Sequence, residues 1–117
     1  MNVKVVASDP LSHSTPLLVL PVPKGAKEPE GVLAEIDQLV GGALKKALTE
    51  GDFTGKAEET LLFYPETESG PGRILVIGLG EVESLEAEVL RRVAGRSVRV
   101  AEGLRVSALG VWLDPAW

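Results

Sequence analysis

The sequence predicts a layered α/β domain in which helices flank a mixed, largely parallel sheet. Two observations carry that expectation. Short apolar runs rich in β-branched residues alternate with two long segments of helical periodicity, and within the strand expected at residues 73–77 the run from Ile74 to Ile77 is apolar without alternation, as a strand covered on both faces requires. At 117 residues the chain has the length of one domain, able to bury roughly two-thirds of the surface it exposes when unfolded.

The elements follow in order. Residues 3–7 form a β-branched run ended by Ser8-Asp9-Pro10, a strand and its turn. Leu17-Leu18-Val19-Leu20 lies between Pro16 and Pro21. Proline donates no backbone hydrogen bond, so these margins predict a short strand whose ends leave the ladder, with residues 21–30 as loop. From Gly31 to about Thr49, the residues Val32, Leu33, Ile36, Leu39, Val40, Ala43, Leu44, Ala47 and Leu48 fall on one helical stripe, with Glu35, Gln38 and Lys45 opposite. One helix is expected there, lying against the sheet and stopped at Gly51. Gly41 and Gly42 flank the stripe. A glycine costs about 1 kcal/mol against alanine inside a helix, so the pair predicts close backbone approach by a neighbour.

Thr60-Leu61-Leu62-Phe63-Tyr64 is a third strand stopped by Pro65, and Glu68-Ser69-Gly70-Pro71-Gly72 is a turn. Arg73-Ile74-Leu75-Val76-Ile77 is a fourth strand. After Gly78-Leu79-Gly80, Ser84 can cap a second helix running from Leu85 to about Glu102, with Glu86 and Glu88 in its positively polarised first turn. Its inward face reads Leu85, Val89, Leu90, Val93, Val100, Ala101 and Leu104, and Gly103 marks its end. Residues 105–113 complete the pattern as a fifth, mostly buried strand. No internal repeat, low-complexity tract or interdomain linker interrupts it.

Composition excludes several kinds of chemistry. There is no cysteine, hence no disulfide, thiolate metal site or thiol nucleophile, which points to the cytoplasm. The apolar stretch at the amino terminus is too short for a signal peptide, and no run approaches the ~20 residues of a membrane span. A net charge of −5 repels a phosphate backbone over most of the surface, so nucleic-acid binding would need a local basic patch. Asn2 and Gln38 are the only side-chain amides and Met1 the only methionine, a scarcity that resembles a thermophile's composition.

Three places could hold chemistry. Gly78-Leu79-Gly80 follows a strand and precedes a helix, as in phosphate cradles, but Glu83 stands where a third glycine would complete the fingerprint, and a plain tight turn explains the same residues. Arg91, Arg92, Arg96 and Arg99 form the one basic run that could meet phosphate. Helical geometry interleaves it with Glu88 and Glu102, and an ion-paired surface is the plainer account. His13, the only histidine, sits in the polar loop Ser12-His13-Ser14, and a catalytic zinc typically needs three protein ligands, so no metal site is expected. The carboxylates lie in loops or at helix starts, where solvation accounts for them, and no pair stands out as an acid/base couple.

Taken together, Gly41-Gly42-Ala43-Leu44, Glu50-Gly51-Asp52-Phe53-Thr54-Gly55-Lys56, Thr60-Leu61-Leu62 and Ile74-Leu75-Val76-Ile77-Gly78-Leu79-Gly80 resemble, in order and spacing, the amino-terminal domain of leucyl (cytosol) aminopeptidases. The likeness runs over nearly the whole chain, and Glu59 departs from the small residue of that pattern. The resemblance implies a three-layer, macro-domain-like fold forming a single amino-terminal domain at residues 1–117. It also implies a larger catalytic domain, absent here, that holds two divalent metals, zinc or manganese, on a lysine and several carboxylates within an Asn-Thr-Asp-Ala-Glu-Gly-Arg signature. No catalytic or metal-binding residue therefore carries over to this chain, which is expected not to hydrolyse peptides, whereas the parent enzyme removes amino-terminal residues from them.

The resemblance implies a scaffold role, with the missing catalytic domain and the neighbouring subunits of a homo-oligomer, typically a hexamer, as partners. Two alternatives come with it. Macro domains bind ADP-ribose, which would make Gly78, Leu79 and Gly80 a nucleotide site, and some aminopeptidases of this family bind DNA, which would engage the four arginines. Trp112 and Trp117 are either core residues or cover surface that faces the missing domain.

Overall fold

Strands β1 (Asn2–Val6), β2 (Leu18–Pro23), β3 (Thr60–Phe63), β4 (Ile74–Gly80) and β5 (Ala108–Trp112) form one sheet in the order β1-β5-β2-β4-β3. The structure is a computed structural model that describes residues 2–6, 15–66, 70–81 and 86–113. β1–β5, β5–β2 and β2–β4 pair in parallel, and only the edge strand β3 runs antiparallel, with Thr60 opposite Ile77 and Phe63 opposite Ile74. The expected mixed, largely parallel sheet is present.

Alternation along the strands divides the core into two layers. Leu18, Leu20 and Val22 of β2, Ile74 and Val76 of β4 and Trp112 of β5 pack with helices α1 (Val32–Leu39) and α2 (Ala43–Glu50) through Ile36, Val40, Leu44 and Leu48. On the other face Val19, Leu75, Ile77, Leu79, Leu109 and Val111 pack with Val89, Val93 and Ala101 of α3 (Ala87–Gly103). β4 is buried along its whole length, as its unbroken apolar run requires.

β2 does not stop at Pro21 as expected. It continues to Pro23, with Pro21 opposite Ile77 and Val22 opposite Gly78. Parity explains how a strand next to two neighbours tolerates both prolines. Leu18 N–H donates to Arg73 O and Lys24 N–H to Gly80 O, so even-numbered amides of β2 face β4. Odd-numbered positions face β5, whose pairing with β2 ends at Val19–Val111. Pro21 and Pro23 thus lack an N–H only where no carbonyl of β5 is paired to receive one.

The single helix expected from residue 31 to about 49 is two helices. Gly41 and Gly42 adopt φ of 66° and 80°, left-handed values that end α1 and re-aim the chain into α2. The stripe survives because both helices lie on the same face of the sheet. The close approach expected at this pair is not its reason: a Cβ at Gly41 would meet the movable end of the Glu66 side chain, and nothing lies close to Gly42, so the left-handed φ values are what require glycine. Asp37, which pattern reasoning did not single out, turns its buried carboxylate to the start of α2. It accepts the Leu44 N–H at 2.8 Å and the Lys45 N–H at 3.3 Å.

α3 begins at Ala87 with Glu86 as its N-cap; Ser84, Leu85 and Glu83 lie outside the described residues. Its most buried line is Val89, Val93, Ser97 and Ala101, an i, i+4 series into which the sequence reading did not place Ser97. The Ser97 hydroxyl donates to Val93 O at 2.7 Å, which is how a polar residue sits in that line. Gly103 is the last helical residue, as expected, but it is Arg105 that takes the left-handed turn, at φ 61°, and β5 starts only at Ala108.

Candidate functional site

Gly78-Leu79-Gly80, expected as a turn, is the end of β4. The register between β2 and β4 shifts here, Val22 pairing with Gly78 and Pro23 with Gly80. A loop at residues 53–57 crosses this end of the sheet. Phe53 anchors it in the α1/α2 layer at 1% exposure. Its backbone then runs so close to β4 that a Cβ at Gly78 would overlap the Lys56 carbonyl and lie 2.6 Å from Gly55 C. A Cβ at Gly55 would in turn meet Pro23 O at 2.5 Å. Both glycines are needed for backbone to meet backbone. The Gly78 N–H donates to Glu59 O at 2.7 Å and the Gly80 N–H to Gly55 O at 2.8 Å. The amides that a phosphate cradle would use are therefore engaged by the chain's own carbonyls.

Glu59 ties the same loop down. Its Oε1 accepts the Thr54 N–H at 2.8 Å, the Thr54 hydroxyl at 3.1 Å and the Gly55 N–H at 3.0 Å. Burial pushes its pKa up, but the hydrogen bonds from Thr54 and Gly55 and the charge of Lys56 outweigh that and hold it below the ordinary glutamate value. The departure from a small residue at position 59 is thus a local fastening.

The basic run stays on α3. Arg91 pairs with Glu88 at 2.8 Å, both exposed, as the interleaved spacing predicts. Arg92 and Arg99 are exposed, and Arg96 is half-buried with its Nε buried and without a hydrogen-bond partner.

An open cleft of about 550 Å³ lies at the carboxyl ends of β2 and β5, beside the start of α1. Pro21, Val22, Pro23, Ala26, Val32, Leu33 and Trp112 give it apolar walls, and Glu28 and Glu30 stand on it. The cleft falls on residues 21–33, and what closes it is distant in sequence, Trp112 from β5, so no local signal marks it. Trp112 is a core residue at 5% exposure; Trp117 and His13 lie outside the described residues. Among the described residues, no group of three or more His, Cys, Asp or Glu could hold a metal ion, and no helix is long and apolar enough to cross a membrane.

A model of the cytosol aminopeptidase family, N-terminal domain, matches residues 19–116. The chain belongs to that family. Relatives of this chain include probable cytosol aminopeptidases of Roseiflexus castenholzii, 38% identical over 91% of this chain and 19% of that protein, and of a Geobacter species, 33% identical over 99% and 23%. The chain thus spans about a fifth of the length of these curated relatives. Among solved structures, a mutant tomato leucine aminopeptidase superposes with a TM-score of 0.75 at 17% identity, covering 95% of this chain and 22% of that one. The macrodomain of Mycobacterium tuberculosis DarG superposes with a TM-score of 0.65 at 19% identity, covering 93% and 74%. The chain therefore has the three-layer, macro-domain-like fold that its motifs implied.

Proposed function

We propose that this domain is a non-catalytic scaffold of a larger leucyl aminopeptidase, residues 1–117 forming one unit that contacts a carboxyl-terminal catalytic domain and neighbouring subunits. The observation that carries this reading is one of extent. The family model that matches is that of the amino-terminal domain, and the matched relatives are about four to five times longer than the chain. The chemistry of the parent, removal of amino-terminal residues from peptides with two divalent metals, belongs in this reading to the remaining length. A homo-oligomer, a hexamer by family resemblance, a cytoplasmic location and a thermophilic source complete the proposal. The Gly78 and Gly80 amides are engaged by the chain's own carbonyls, which weighs against the nucleotide alternative, and the Glu88–Arg91 pair together with the net charge of −5 disfavours DNA.

The test is a deletion in the whole Roseiflexus relative of the segment that aligns with this chain. The scaffold reading expects the shortened protein to keep its bound metal and to lose assembly in sedimentation. Loss of the metal with assembly intact would overturn it.

A further inference from the structure

The cleft at the carboxyl ends of β2 and β5 has features the scaffold role does not use. Its volume of about 550 Å³ falls within the roughly 300–1,000 Å³ of small-molecule sites, and it lies at the carboxyl end of a largely parallel sheet, where α/β folds place ligands. The neighbouring crevice between β2 and β4 is filled by the residue 53–57 loop against Gly78, so the open space lies on the β5 side, where β2 outruns its partner. The strand presents Pro21 and Pro23 to that side, without an N–H to offer, while the parity of β2 turns the Val22 N–H toward β4. No β-strand can be added to such an edge by a regular ladder. Among the described residues, the charged ones that line the space are both carboxylates, Glu28 and Glu30. Lys27 lines an adjoining hollow with the same two glutamates, and Lys24 is 3.4 Å from Glu81. Glu30 lies one residue before the N-cap of α1, where its charge also complements the helix end, which leaves Glu28 the freer of the two.

We propose that this cleft binds a small organic cation, an alkyl- or arylammonium whose apolar body lies against Pro21, Val32 and Trp112 and whose ammonium meets Glu28 and Glu30. Apolar walls supply burial and the acidic rim supplies the sign of the charge. The site is independent of the scaffold reading, since it needs no second domain.

The probe is phenethylammonium, titrated by calorimetry and by tryptophan fluorescence in a Trp117→Phe background so that Trp112 is the only reporter. Saturable binding is expected, with 2-phenylethanol and 3-phenylpropionate each at least about tenfold weaker, in line with the loss of one charge-assisted contact. The Glu28→Gln, Glu30→Gln double variant should bind phenethylammonium about tenfold more weakly while 2-phenylethanol is unchanged. Equal affinity for the three probes, tighter binding of the carboxylate, or no saturable signal would overturn the proposal. The probe series is read on a chain with both glutamates intact, so misfolding of the double variant would not rescue it.

Discussion

Glu59, Asp37 and Gly78 act chiefly through backbone groups, the Thr54 hydroxyl and the Lys56 charge beside Glu59 apart, which is why none of their roles follows from residue type alone. Glu59 accepts three hydrogen bonds from Thr54 and Gly55. Glu59→Gln is expected to lower stability at neutral pH by about 1 kcal/mol, the net worth of a hydrogen-bonded contact at a partly solvated site. Because the folded pKa lies below the unfolded one, the carboxylate's contribution is complete above the unfolded value of about 4.3 and is lost as pH falls through the folded value. Urea titrations of parent and variant should therefore differ at neutral pH and converge as pH falls below the folded value, whereas a gap independent of pH would assign the effect to shape. Asp37→Ala strips two amides at the start of α2 of their acceptor and should cost about 1–2 kcal/mol. Gly78→Ala would force the loop at Lys56 off β4; a loss of about 3 kcal/mol or more is expected, and a variant as stable as the parent in the same titration would show that the close approach is wrong.

At the scale of elements, what the sequence discloses depends on whether the cause is local. The unbroken run of β4 and the i, i+4 apolar line of α3 are local patterns, and both elements lie close to where those patterns place them. The break between α1 and α2 was hidden because the apolar stripe continues across it; a period of 3.6 residues records which face is buried, not the sign of φ at Gly41 and Gly42. Position in the sheet hid the length of β2, since a proline is excluded only where its amide would face a paired neighbour. The cleft was illegible for the same kind of reason, being assembled from β2, the start of α1 and Trp112. Replacing Gly41 and Gly42 together by alanine is the informative test. Alanine favours a continuous helix by about 1 kcal/mol per site, but left-handed φ penalises each by about 1–2 kcal/mol, and at Gly41 the Cβ also meets Glu66. A lower urea midpoint supports the two-helix arrangement; a higher one would mean that the continuous helix is accessible and preferred.

For the molecule as a whole, two apolar layers enclose one mixed sheet, and among the described residues a cleft and a charged helix face lie open. The motif set that pointed to the family has a physical basis in that fold. Gly41-Gly42 turns α1 into α2, Phe53 and Gly55 seat a loop across β4, and Gly78 makes room for that loop. These are requirements of packing. The most direct measurement is an assay of the purified chain for hydrolysis of leucine p-nitroanilide with added zinc or manganese, together with its bound metal, beside a full-length cytosol aminopeptidase under the same conditions. The scaffold account predicts an inert, metal-free chain beside an active, metal-loaded enzyme; hydrolysis by the chain alone, abolished by a chelator, would contradict it.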